Sequence, residues 1–215
     1  MNEAFYNIHT DKQKRIINAA MQEFVINGYT NASTNAIVKE AGISKGSLFH
    51  YFSNKKDLYI FLIDHADTVI QDVYLAIDLE EPDLFKRLTK VGIAKLKIQQ
   101  QYPETFDFLA SVLNESAEDV KEQADAKLSV MQQSGFNQLY VNVDWSLFKD
   151  EINVEKAVEI LNWTMIGFSE KYRSKLGSFK DVRHELLEEF DAYAAILKHC
   201  YYKESSQRSD ENESD

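Results

Sequence analysis

The residues from 33 to 52, STNAIVKEAGISKGSLFHYF, predict two short helices joined by a tight turn. In the first helix, Ile37 and Val38 form an inward edge, and Gly42 supplies the permissive backbone that a turn needs. Ser44 is a favoured N-cap residue for the second helix. We expect the rest of the chain to be organised around this helix pair.

The second helix of the pair has two different sides. At about 100° per residue, Leu48 and Phe52 fall on the side that faces the protein. The other side carries small, polar and aromatic residues next to the helix N-terminus, with a lysine at its edge: Gly46, Ser47, Phe49, His50 and Lys45. Such a surface suits a DNA groove, and the helix N-terminus attracts phosphate. The pattern therefore predicts a DNA-reading helix.

These residues resemble the N-terminal motif of TetR/AcrR-family transcriptional regulators, over about residues 10 to 60. The matching positions are Ile37-Val38, Ala41-Gly42, Ile43-Ser44-Lys45-Gly46, Leu48-Phe49, Phe52, Lys55 and Leu58. The resemblance implies an all-α fold, in which a three-helix DNA-binding unit precedes a larger helical domain for effector binding and dimerisation. Phe49 departs from the motif, because the family usually has a tyrosine there whose hydroxyl reaches a phosphate.

The candidate DNA-binding residues lie in the helix pair and at the start of the helix that follows. Ser33 and Thr34 can each cap the first helix of the pair and also reach the DNA backbone. Lys55 is the best candidate for a phosphate contact outside the reading helix. The full predicted set is Ser33, Thr34, Ser44, Lys45, Gly46, Ser47, Phe49, His50, Tyr51 and Lys55.

The segment Gly42-Ile43-Ser44-Lys45-Gly46 also matches G-x-S-x-G, the serine elbow of hydrolases. That elbow needs a strand before the serine, whereas residues 34 to 41 have helical periodicity. The sequence also lacks HExxH, GxGxxG and P-loop motifs. We therefore predict that the protein is not an enzyme, with no catalytic residues, metal or cofactor. A helix pair that merely packs is the remaining alternative.

The net charge of −11 would oppose DNA binding if it were spread evenly. However, residues 1 to 60 carry seven Lys/Arg against five Asp/Glu, while residues 61 to 215 carry seventeen against thirty. A weakly basic end on an acidic body would present that end to a duplex. Lys12, Lys14 and Arg15 contribute to the basic end, either as phosphate contacts or as a solvated helix face.

The remaining composition indicates an almost wholly helical protein of the cytoplasm. Only two prolines and seven glycines interrupt 215 residues. No apolar run approaches the roughly 20 residues of a membrane span, and the polar start MNEAFYNIHTDK lacks a signal-peptide core. The single cysteine, Cys200, excludes an internal disulfide and suits a reducing compartment. We predict no membrane partner.

Periodicity and caps predict the other helices. The spacing of Thr10 and Gln13 is that of a capping box, so a first helix is expected from Thr10 to about Gly28. A long helix should follow the pair, with an apolar stripe from Leu58 to Ile77. Further on, Ser134-Gly135 should end a polar helix, and residues 136 to 151 should form an ordered loop.

The last two helices are predicted to form a homodimer. Residues 157 to 168 are apolar around nearly the full circumference of a helix, so this helix should be buried on all sides. The final helix repeats apolar residues at three- and four-residue steps: Val182, Leu186, Phe190, Tyr193, Leu197 and Cys200. Together they suit a four-helix bundle across a twofold axis.

We predict a helix-turn-helix DNA-binding domain at 1–54, a helical effector-binding and dimerisation domain at 55–202, and a disordered acidic tail at 203–215. The resemblance implies a repressor that a small, partly apolar effector releases from a palindromic DNA operator. The alternative is a regulator of the same fold that acts through a protein partner, without effector-controlled DNA release. The large aromatic residues of the second domain are more typical of core than of a pocket, so the effector-binding residues stay unassigned.

Overall fold

The computed structural model describes residues 3–75, 77–181 and 183–204, and within these ranges the protein is all-α, without a β-strand. This confirms the predicted fold class. The helices are α1 Glu3–Tyr6, α2 Thr10–Asn31, α3 Thr34–Ala41, α4 Lys45–Tyr51, α5 Lys55–Leu75, α6 Leu84–Gln101, α7 Pro103–Leu113, α8 Glu118–Leu139, α9 Val154–Arg173 and α10 Glu185–Tyr201. Short 3₁₀ turns occur at Trp145–Leu147 and Phe179–Asp181.

The chain divides into two compact units. The first comprises Met1–Gln71 and Gln101–Gln132, and the second comprises Asp72–Gln100 and Gln133–Asp215. The first unit thus combines the helix-turn-helix pair with α7 and most of α8. Val182 and the part of the predicted tail from 205 to 215 lie outside the described residues.

The core of the first unit is rich in aromatic rings. Phe24 of α2 packs edge-on against Tyr59 of α5, with 4.9 Å between ring centroids, and Phe108 of α7 lies 5.4 Å from Tyr59. The short helix α1, which periodicity did not predict, adds Phe5 beside Phe52 at 5.1 Å. Burial of these large rings contributes to the hydrophobic stabilisation of the unit, together with buried aliphatic residues such as Ile16, Ile37 and Leu62.

In the second unit, a buried polar group joins the end of α10 to the start of α6. The hydroxyl of the buried Tyr202 donates to Asp83 Oδ1 at 3.2 Å and accepts from the Leu84 N–H at 3.1 Å. Lys198 Nζ lies 3.0 Å from Asp83 Oδ2. Asp83 also caps α6 by accepting from the Phe85 N–H at 2.8 Å. Each buried polar atom here has a partner, as burial requires.

The predicted start of α2 at Thr10 is confirmed, but one predicted cap and one predicted helix end are wrong. Thr10 is not the N-cap of α2, because His9 precedes it and its Nδ1 accepts from the Asp11 N–H at 3.3 Å. The helix α8 does not end at Ser134-Gly135 but continues to Leu139. Gly135 is needed for space instead, since a Cβ there would lie 2.5 Å from the Tyr74 hydroxyl oxygen.

The prediction that residues 157 to 168 are buried on all sides is wrong for the single chain. Ala157 and Leu161 are buried, but Ile160 is 43% exposed and Trp163 is 65% exposed. The long helix predicted from the Leu58 to Ile77 stripe is α5, which ends at Leu75. The predicted loop is helical up to Leu139 and irregular after it, apart from the 3₁₀ turn.

Candidate nucleic-acid interface

The helix-turn-helix pair is built from the local signals that the sequence carries. Ser33 Oγ accepts from the Ala36 N–H at 3.4 Å and caps α3. Gly42 then adopts a left-handed conformation with φ of 65°, and the following N–H, of Ile43, donates to the Val38 carbonyl at 3.0 Å. Ser44 Oγ accepts from the Ser47 N–H at 3.1 Å and caps α4. The predicted turn and both predicted caps are confirmed.

The two sides of α4 differ as predicted. Leu48 and Phe52 are buried in the core of the first unit. Lys45, Gly46 and His50 are exposed, together with Ser44 at the cap, while Ser47 is half-buried. Phe49 is 39% exposed, and the Lys45 ammonium lies 5.9 Å from its ring centroid. This side of α4 therefore offers hydroxyl, imidazole, ammonium and apolar groups to a ligand.

Tyr51 is placed differently from the other candidates on α4. Its side chain is buried, and its ring packs edge-on against Phe5 with 5.9 Å between centroids. The phenol oxygen accepts from Lys12 Nζ at 3.2 Å. Tyr51 and Lys12 thus join α4 to the first turn of α2, and they fix the position of the reading helix.

Lys55 also has partners inside the protein. Its Nζ donates to the Thr30 carbonyl at 2.9 Å and to the Ala32 carbonyl at 3.2 Å. The same ammonium lies 4.8 Å from the Tyr29 ring centroid, which is a favourable cation–π distance. Ser33 and Thr34 lie just after these residues, at the start of α3. Lys55 therefore holds the connection between α2 and α3.

The end of α2 and the two residues before α3, residues 28–33 together, form a segment that we call the joint. It starts at Gly28, where φ of 66° and ψ of 173° break the helical path of α2. Two carboxylates that the sequence did not single out hold it: Glu23 Oε1 accepts from the Ser33 N–H at 2.8 Å, and Glu115 Oε2 accepts from the Tyr29 N–H at 2.7 Å. Gly28 is a turn signal that the sequence itself shows. Glu115 lies 86 positions from Tyr29, so its role leaves no local sequence pattern.

The described residues contain neither a metal-binding cluster nor a membrane-spanning helix. No group of three or more His, Cys, Asp or Glu side chains there could hold a metal ion. Within residues 3–75, 77–181 and 183–204, no helix has both the length and the apolar character of a membrane span.

A capped helix-turn-helix pair with a mixed polar and aromatic outer side defines the DNA-binding unit of a transcriptional regulator. Residues 16–60 match the sequence model of the bacterial regulatory proteins, tetR family. Residues 16–60 of this chain therefore carry the N-terminal DNA-binding region of the tetR family.

Relatives with known sequences support this assignment mainly over the N-terminal part. The chain is 36% identical over 62 residues to YxaF of Bacillus subtilis, an uncharacterized HTH-type transcriptional regulator, covering 28% of this chain and 32% of that protein. It is 31% identical over 87 residues to the transcriptional regulator AcuR of Cereibacter sphaeroides, covering 37% of this chain and 40% of that protein. The chain thus matches less than half the length of these relatives.

Solved structures extend the likeness in fold to nearly the whole chain. A TetR family transcriptional regulator from Chloroflexus aurantiacus superposes with a TM-score of 0.59 at 21% identity, covering 94% of this chain and 98% of that one. A TetR-family regulator from Mesorhizobium loti gives a TM-score of 0.63 at 18% identity, covering 91% and 100%. At these identities the likeness concerns the fold alone.

Proposed function

We propose that this protein is a sequence-specific repressor that binds a palindromic DNA operator and leaves it when a small, partly apolar effector binds. The observation that carries the proposal is the exposed side of α4, with Ser47, Phe49 and His50 beside Lys45. The match of residues 16–60 to the tetR family supports the effector, which we place in the helical domain from 55 to 202. Such a regulator acts in the cytoplasm.

The proposed contacts divide into phosphate and base contacts. Lys45 at the start of α4, with the capping hydroxyls of Ser33 and Ser44, suits phosphate oxygens. His50 and Ser47 can hydrogen-bond to base edges, and the exposed ring of Phe49 suits a thymine methyl group. Gly46 has no side chain between the backbone and the groove. The remaining candidates, Thr34, Tyr51 and Lys55, belong to the proposed surface or orient it.

A palindromic operator requires two copies of the chain. In helix-turn-helix dimers the two reading helices enter successive major grooves roughly 34–36 Å apart. The exposed apolar residues of α9 and α10 supply a surface for the partner: Ile160, Trp163, Tyr193 and Ile196. Large apolar side chains on two neighbouring helices are typical of an interface that a second copy covers.

Capture of genomic DNA tests the proposal. The purified protein is mixed with sheared genomic fragments, and bound fragments are sequenced and footprinted. We expect a short inverted repeat, whose neighbouring genes then suggest effectors to add in a release assay. Recovery of fragments without a shared sequence would contradict specific binding. A shared operator that no effector releases would favour the alternative regulator, which acts through a protein partner.

Two substitutions in α4 should separate phosphate from base contacts. Lys45→Ala should weaken binding to operator and random DNA alike and lower the salt slope by about 1, because it removes one phosphate contact. His50→Ala should cost about 1–3 kcal/mol on the operator alone and relax its sequence preference. Fluorescence anisotropy at several salt concentrations measures both effects.

The control for this pair is Lys97→Ala, which removes the same charge from an exposed position on α6 in the second unit. It should leave the affinity and the salt slope close to wild type. Equal losses from Lys45→Ala and His50→Ala on both kinds of DNA would refute the division into phosphate and base contacts.

A further inference from the structure

We infer that Glu115 is a positioning residue for DNA recognition, because its carboxylate holds the joint between α2 and α3 and thereby fixes where α4 is presented. The inference rests on the proposed function. It assigns a role in DNA binding to a residue that lies between α7 and α8, well outside the helix-turn-helix segment.

The Glu115 carboxylate connects two elements of the first unit. Its Oε2 accepts from the Tyr29 N–H in the joint at 2.7 Å. Its Oε1 accepts from the Ser116 N–H at 2.9 Å and the Ala117 N–H at 2.8 Å, just before α8 begins. One side chain therefore binds the joint to the start of α8 through three backbone donors.

The joint needs this acceptor because of its own backbone. Gly28 leaves the helical conformation, and the next N–H, that of Tyr29, is directed to Glu115. Tyr29 is only 7% exposed, so water is poorly placed to replace the carboxylate. A backbone N–H without a partner at such a site is expensive, and a hydrogen bond to an ionised group is stronger than one to a neutral group.

The charge of Glu115 suits this role. Burial raises the pKa of its carboxyl group, but the N–H groups of Tyr29, Ala117 and Ser116, with the positive charge of Lys121, lower the pKa on balance. The group is therefore ionised at neutral pH. An ionised carboxylate only accepts hydrogen bonds, whereas an amide presents an NH₂ group that would face one of these donors.

The other contacts of the joint complete a set of restraints on α3. Lys55 donates to the carbonyls of Thr30 and Ala32, and Glu23 accepts from the Ser33 N–H. Since α3 begins directly after Ser33, a rotation within the joint would displace α3 and α4 together. Binding sites need their groups held within about 0.5 Å and 10–20°, so a loosened joint should weaken base contacts.

The test compares Glu115→Gln with the matched control Glu118→Gln. Both variants lose one negative charge near the start of α8, but Glu118 is exposed. Hydrogen–deuterium exchange should become faster in peptides that contain residues 28–33 for Glu115→Gln only. The same variant should bind operator about tenfold more weakly, because DNA binding must then order the loosened joint. Glu118→Gln should match wild type in both measurements.

Gly28→Ala provides a second, independent perturbation of the joint. It keeps the Glu115 carboxylate but strains the backbone, since φ of 66° disfavours any residue with a Cβ. We expect it, too, to weaken operator binding while circular dichroism still shows a folded protein. If Glu115→Gln failed to fold, Glu115→Asp would replace it with the same expected results, because it keeps the charge but shortens the reach to the Tyr29 N–H.

The outcomes separate the inference from the proposed function. Faster exchange with unchanged operator affinity would mean that Glu115 only stabilises the fold, and this result would overturn the inference alone. Unchanged exchange in residues 28–33 would overturn it as well. A wild-type protein that binds no specific DNA would overturn the proposed function first, and the inference with it.

Discussion

Replacing Trp163 with glutamate is expected to convert the proposed homodimer into a folded monomer and to weaken operator binding by about 100-fold or more. The size of the effect follows from the loss of bivalent binding, because a monomer contacts one half-site without the effective concentration that the second copy provides. Analytical ultracentrifugation measures the oligomeric state, and fluorescence anisotropy measures operator affinity.

The exposure of Trp163 explains why the monomer should stay folded. The indole is 65% exposed in the single chain, so a glutamate at this position is solvated and breaks no core contact. In a dimer the same carboxylate would be buried without a partner, which is strongly unfavourable. Ile196 on α10 is 62% exposed and is expected to belong to the same surface.

The matched control is Ser169→Glu, which introduces the same charge on the same helix. Ser169 is exposed and lies about 120° around α9 from Trp163, at 100° per residue. It should remain a dimer with unchanged operator affinity. A Trp163→Glu protein that stays dimeric would show that the interface lies elsewhere.

The sequence predicted the helix-turn-helix pair well because its determinants are local. The caps at Ser33 and Ser44 and the left-handed turn at Gly42 each involve atoms within about one helical turn. Local signals of this kind are readable without knowledge of the tertiary structure. The all-α class was predictable for the same reason, from spacing and from the scarcity of proline and glycine.

Features that depend on distant residues were not predictable. Gly135 resembles a helix stop, but it lies inside α8 because the Tyr74 ring occupies the space of its missing side chain. The partner of the Tyr29 N–H is 86 positions away. The sequence favours Lys55 as a phosphate contact, whereas its ammonium donates to two carbonyls of the joint. Phosphate binding by Lys55 therefore stays a prediction, next to an observed role in packing.

The burial of α9 was overestimated for a different reason. An apolar sequence indicates that a helix surface should be buried away from water. It does not indicate whether the same chain or a second chain buries that surface. Ala157 and Leu161 are covered within the chain, while Ile160 and Trp163 are not. Periodicity thus predicts that a helix has an apolar surface but does not identify the element or chain that packs against it.

The second large effect is expected at Arg87, whose side chain is fully buried in the second unit. Its guanidinium donates to the Leu139 carbonyl at 2.9 Å and to the Val141 carbonyl, and from Nε to the Glu81 carbonyl at 3.1 Å. Leu139 is the last residue of α8, where carbonyls lack helical partners and a positive charge is favourable. Arg87 therefore joins the end of α8 to the turn before α6.

Arg87→Ala should lower the free energy of unfolding of the second unit by about 3–5 kcal/mol, since it leaves several carbonyls without donors and opens a cavity. Arg87→Lys should recover only part of this loss, because one ammonium cannot reproduce the planar fork.

Trp145 and Trp163, the two tryptophans of the chain, both belong to the second unit, so tryptophan fluorescence during urea unfolding reports on that unit. Lys90→Ala is the control, because it removes the same charge about one turn later on α6. The Lys90 ammonium is half-exposed and pairs with the exposed Asp78 and the partly buried Glu81, and ion pairs near the surface contribute little. An unfolding midpoint for Arg87→Ala equal to that of Lys90→Ala would mean that water can satisfy the carbonyls, and that the buried guanidinium does not hold the second unit together.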